Sequence, residues 1–114
     1  MPEKTESEFF FKSKETEWVD ADSGITRQII AHNAHLMVVS VKFKPGAIGS
    51  IHEHLHTQGS YVASGKFKIT INGKTEILEA GDGFYVPPNT DHGAECLEEG
   101  ILIDAFNPAR QDFL

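Results

Sequence analysis

From Leu36 to Phe43 the chain alternates. Met37, Val39, Val41 and Phe43 fall on one side, with Ser40 and Lys42 on the other, the period of a half-buried strand. Lys44-Pro45-Gly46 closes that run as a turn. A second alternation places Phe67, Ile69 and Ile71 on one face, reaches Asn72-Gly73, and resumes through Ile77 and Leu78. Asn-Gly between two alternating runs predicts a hairpin, because both residues accept the positive φ of a tight turn. "EAGDG" from Glu79 to Gly83 reads as another turn, "FYVPP" as a short strand stopped by Pro87 and Pro88, and "ILIDAF" from Ile101 to Phe106 as a last strand. On that strand Leu102, Asp104 and Phe106 share one face and Ile101, Ile103 and Ala105 the other. Apart from a candidate turn near the C-terminus, no stretch of ten or more residues repeats at helical spacing. Short strands with Gly and Pro punctuation predict an all-β antiparallel sandwich or barrel.

At 114 residues and 39% hydrophobic content, with eight Phe, the chain has material for a single core. Residues 1–8, charged and small, read as an arm, and residues 9–114 as one domain. Phe9, Phe10 and Phe11 are too apolar to be left in water. They are expected to form a strand covering the domain's own sheet or reaching a second copy, which makes a homodimer the expected assembly. Seventeen acidic against ten basic residues, a formal charge of -7, argue against nucleic acid as a partner. No apolar run approaches the roughly 20 residues of a membrane span, and "MPEKTESE" does not resemble a targeting leader, so a soluble, cytoplasmic protein is expected. Cys96 is the lone cysteine and is expected as a small core or pocket-wall residue. Arginine occurs only at Arg27 and Arg110. In an acidic chain these two are the candidates for gripping an anionic ligand with a guanidinium fork.

The chemistry concentrates in "HEHLHTQGSYVASG", His52 to Gly65. Residues two apart on a strand face the same way, so His52 and His54 are expected to converge on one ion, with Gln58 turning inward and His92, after "PPNTDH", joining from a neighbouring strand. Three imidazoles and an amide oxygen form a neutral set that leaves a divalent cation's charge available to polarise an oxygen-bearing ligand. His56 is placed outside that set. If the Asp104 face of the last strand is the inner one, burial favours the protonated carboxyl and suits it to acid–base work near neutral pH.

These residues resemble the cupins. The first cupin motif runs Gly, five residues, His-x-His, three or four residues, Glu, six residues, Gly, and Gly46, His52, His54, Gln58 and Gly65 fall on it with Gln58 in place of Glu. Gly81, Pro87, Asn89, His92 and Cys96 fall on the second motif, with Asn89 replacing a Gly and Cys96 an Asn. The resemblance implies a small jelly-roll barrel, a double-stranded β-helix, holding one divalent transition metal ion (Ni, Zn, Mn or Fe) on His52, His54, Gln58 and His92.

The tail narrows it. Gln58 together with Asp104, Phe106 and Arg110 resembles the pectin-degradation cupins of the KdgF type. That resemblance implies conversion of 4,5-unsaturated uronate monosaccharides, the products of pectin or alginate lyases, to linear 4-deoxy-5-keto uronates. In that reading Asp104 moves the protons, Arg110 with Arg27 pairs with the substrate carboxylate, and Phe106 packs against the sugar ring. The alternatives are a metal-dependent cupin dioxygenase and a non-catalytic sugar-binding or regulatory cupin.

Overall fold

Eight strands, β1 (Val19–Asp22), β2 (Ile25–His32), β3 (Met37–Phe43), β4 (Ile48–His52), β5 (Thr57–Ile71), β6 (Lys74–Glu79), β7 (Gly83–Val86) and β8 (His92–Asn107), pair throughout in antiparallel fashion. They are seen in a computed structural model that describes residues 5–114. The sheet runs β1-β2-β3-β8-β5-β6, with β4 on β8 and β7 on β5. Among the described residues, helix is confined to 3-10 turns at Ser13–Glu15 and Gln111–Phe113. No helix among the described residues is long and apolar enough to cross a membrane.

Two strands much longer than the sequence pattern suggests organise the barrel. β5 gives its first half to β7 and its second to β6, while β8 gives its first half to β4 and its second to β3. Each long strand therefore belongs to two layers. The bend lies where their mutual register shifts, between Val62 and Phe67. There Gly65 sits at φ +83, and a Cβ on it would meet the Glu99 carbonyl oxygen at 2.5 Å. Gly65 is thus required inside a strand.

The alternating runs meet their expected fates. Met37, Val39 and Phe43 are buried, with Val41 packed against them. Asn72 and Gly73, at φ 50 and 78, turn β5 into β6. One core cluster gathers Ile25, Phe43, Ala47, Val62, Phe67, Ile69, Cys96 and Leu102, which places Cys96 inside. A second, of Met37, Val39, Phe106 and Ala109, lies under the C-terminal segment.

The N-terminal expectations fare differently. Residues 1–4 of the expected arm lie outside the described residues. Ser7 is tied to the end of β2, its amide donating to the His32 carbonyl and its hydroxyl accepting the His32 amide. Phe9 to Phe11 form no strand in this single chain; Phe9 and Phe10 remain 95% and 89% exposed. The segment that does pack is the following 3-10 turn. The fully buried Gln28 side chain of β2 accepts a hydrogen bond from the Ser13 hydroxyl and donates to the Ser13 and Thr16 carbonyls.

Candidate metal centre

Antiparallel pairing of β4 with β8 sets His52 directly opposite His92. His54 lies in the loop after β4, not on the strand as its alternation with His52 suggested. That loop is held by the Asn89 amide, which donates to the His54 carbonyl at 2.7 Å. Asn89 occupies the motif position usual for Gly at φ 55, a left-handed conformation that Asn tolerates better than most side chains. The three imidazoles close on one another, with ligand nitrogens all within 4.8 Å and ring centroids 4.4 Å apart for His52 and His92 and 4.7 Å for His54 and His92.

Their tautomers follow from the backbone. His52 Nδ1 faces the Ser50 carbonyl at 2.8 Å, His54 Nδ1 the His56 carbonyl at 3.0 Å, and His92 Nδ1 the Thr90 carbonyl at 2.9 Å. A carbonyl only accepts, so each Nδ1 carries its proton and each Nε2 of a neutral ring is left with a lone pair. Burial, opposed by the Thr90 carbonyl and reinforced by the neighbouring histidines, holds the His92 pKa below its ordinary value and keeps it neutral. Gln58, 5% exposed at the start of β5, places Oε1 3.0 Å from His54 Nε2. Two acceptor atoms facing at that distance call for a cation or proton between them. The donor set fits a divalent transition metal on this ground.

The inner face of β8 is the one carrying Leu102, Asp104 and Phe106, all buried, while Ile101, Ile103 and Ala105 are half-buried. Ser60 stands opposite Asp104 in the β5–β8 register and donates its hydroxyl proton to Asp104 Oδ1 at 2.6 Å. Ser60 also accepts a hydrogen bond from Gln58 Nε2 at 2.9 Å. Burial pushes the Asp104 pKa up to about 6, against the lowering pull of Ser60, Arg110 and Gln58.

One cavity of about 390 Å³ joins these groups, lined by His52, Gln58, His92, Asp104, Phe106, Arg110, Arg27 and Phe113. Phe106 is 3% exposed and forms part of the wall, edge-on to His54. The Arg110 guanidinium lies 5.1 Å from the Phe106 ring centre and 4.4 Å from that of Phe113, while Arg27 lies 3.8 Å from Phe113. Two cations thus share the Phe113 ring, an arrangement worth roughly 0.5–2 kcal/mol for each contact. Arg110 further donates from Nε and Nη2 to the two oxygens of Asp112, which is held below the usual carboxylate range mainly by that bond. Burial lowers the Arg27 pKa, Asp112 opposing and Arg110 adding to the effect. His56 falls outside the three-histidine cluster, 5.4 Å from His54 centre to centre, and burial with nearby Arg110 lowers its pKa.

All the candidate residues named from the sequence therefore come together, and Ser60 and Phe113 join them unforeseen. Ser60 is two residues beyond Gln58 on the same face of β5, a spacing that could have marked it. Phe113 follows Arg110 by one 3-10 turn.

Comparison with known proteins agrees with this architecture. Residues 39–104 match the family model described as a cupin domain. The pectin degradation protein KdgF of Dickeya dadantii (strain 3937) is 46% identical over 107 residues, covering 92% of this chain and 97% of the relative. Among solved structures, an RmlC-like cupin from Shewanella frigidimarina superposes with a TM-score of 0.95 at 46% identity, covering 97% of this chain and 100% of the other. KdgF from Halomonas sp. superposes with a TM-score of 0.90 at 42% identity, covering 95% and 100%.

Proposed function

Because this chain belongs to the cupin domain family and, within it, to the relatives of the pectin degradation protein KdgF, we propose that it opens and ketonises 4,5-unsaturated uronate monosaccharides. The observation that carries the reading is the cavity onto which two members of the three-histidine cluster, His52 and His92, open together with a buried carboxyl and two arginines. His52, His54, Gln58 and His92 are the ligand set, and Ni, Zn, Mn and Fe are its candidate ions. A bound divalent ion supplies Lewis acidity for an oxygen of the substrate and offsets negative charge as the enolate develops.

The chain's own groups account for the proton traffic. Asp104 takes the proton of the anomeric hydroxyl as the bond from C1 to the ring oxygen breaks, giving an aldehyde at C1 and an enolate on the former ring oxygen at C5. The same carboxyl returns that proton to C4 as the enolate becomes a ketone, so the reaction is a balanced isomerisation. A pKa of about 6 keeps both protonation states of Asp104 accessible near neutral pH. Arg110 and Arg27 supply positive charge for the uronate carboxylate in a chain of formal charge -7. Phe106 and Phe113 give the sugar an apolar wall and hold the arginines in place. The cytoplasm is the proposed compartment. A second copy is the proposed cover for Phe9 and Phe10, whose rings are too exposed to stabilise a lone barrel.

The test follows ultraviolet loss of the conjugated double bond in wild type and Asp104→Ala. The proposal expects rapid loss with wild type and at least a ~100-fold slower rate with the variant. Equal rates would remove Asp104 from the mechanism.

A further inference from the structure

Gln58 is an unusual metal ligand because its two terminal atoms are nearly the same size and only one of them, Oε1, can bind a cation. Something must keep the amide from turning its NH2 group toward the histidines. The order of hydrogen bonds around Ser60 supplies the device. Ser60 has one hydroxyl proton, and it is committed to Asp104 Oδ1 at 2.6 Å. What Ser60 offers Gln58 is then only a lone pair, which accepts from Nε2 at 2.9 Å and cannot pair with Oε1. With Nε2 turned to Ser60, Oε1 faces His54 Nε2 at 3.0 Å. The sheet builds this chain directly: Gln58 and Ser60 are two apart on one face of β5, and Ser60 stands opposite Asp104 of β8.

We propose that Ser60 is a positioning residue that locks the Gln58 amide with its oxygen toward the metal, under the direction of Asp104. The inference rests on the metal-site reading above and adds a coupling between the acid–base carboxyl and the ligand set. The order holds while Oδ1 carries no proton, that is, with Asp104 ionised or protonated on Oδ2, so that Oδ1 accepts from Ser60.

The experiment is calorimetric titration of Ni²⁺ into the metal-free chain. Relative to wild type, Ser60→Ala is expected to bind about 10-fold more weakly, and Ser60→Thr, which keeps the hydroxyl, to stay within about 3-fold. In a Gln58→Glu background both terminal atoms are oxygens and orientation no longer matters, so adding Ser60→Ala should change affinity by less than about 2-fold. Equal affinity of wild type and Ser60→Ala, or the same loss in the Gln58→Glu background, would overturn the role of Ser60 while leaving the metal site standing. Absence of Ni²⁺ binding by wild type would overturn both. A variant-free readout is proton NMR of the metal-free wild type. Cross-relaxation from the Gln58 side-chain amide protons to the Ser60 β-protons is expected, and the opposite pattern, contact with the His54 ring instead, would refute the orientation.

Discussion

Replacing Asp104 by Asn should make the metal-free chain more stable, by an amount that depends on pH in a calculable way. Asp104 is 9% exposed and its pKa is raised to about 6 from 3.8. Between those values the folded chain holds a proton that the unfolded chain has released, so stability falls as pH rises through that window. Below about pH 4 the carboxyl is neutral in both states and costs nothing by ionisation. Above about pH 6 it is charged in both, and the folded state carries the full desolvation penalty. A shift of about two units at about 1.4 kcal/mol per unit makes that penalty about 3 kcal/mol. Asn keeps a carbonyl oxygen for Ser60 and never ionises. The stability difference between Asp104→Asn and wild type, from urea unfolding in chelator at pH 4.5 to 7.5, should therefore rise by about 2 kcal/mol across the series, about 1 kcal/mol of the penalty being present already at pH 4.5. Any constant packing offset cancels because only the pH dependence is read. A flat difference would show that Asp104 ionises without penalty and would refute its burial as the source of the raised pKa.

Further outcomes follow from the same geometry. His92→Ala removes a buried imidazole of the three-histidine cluster and should weaken metal binding by more than about 100-fold, read by metal content after dialysis. Arg110→Lys loses both the planar fork and the contacts with Phe106 and Phe113, and should raise KM for the uronate by about 10-fold or more in steady-state kinetics. Gly65→Ala forces a Cβ against the Glu99 carbonyl at positive φ, and should lower stability by about 1–3 kcal/mol in denaturant unfolding.

The barrel was legible where one strand face is buried and the other wet. Met37 to Phe43 and the run up to Asn72-Gly73 alternate because each packs one face on a core, and the Asp104 face of β8 proved to be the inner one. β5 and β8 were read short because each bends between two layers and changes partner midway, which breaks the period near Gly65 and Gly100. The clustering of His52, His54, Gln58 and His92 was legible from type and spacing, yet the spacing misassigned the local structure of His54, which a loop positions with help from Asn89. Ser60 stayed hidden for a different reason. A serine between Gly59 and Tyr61 looks like any exposed strand residue, and its meaning comes from Asp104, 44 positions away in sequence and adjacent only through strand register. Phe113 likewise gains its place only when the last 3-10 turn lays it between Arg27 and Arg110.

Metal-dependent, oxygen-independent opening of the sugar is tested most directly by supplying 4,5-unsaturated galacturonate under argon and following its ultraviolet absorbance. Catalysed loss is expected without oxygen, with suppression after chelation and return when a divalent metal is restored. Absorbance that decays only at the uncatalysed rate in every arm, or loss that requires oxygen, would contradict metal-dependent, oxygen-independent opening.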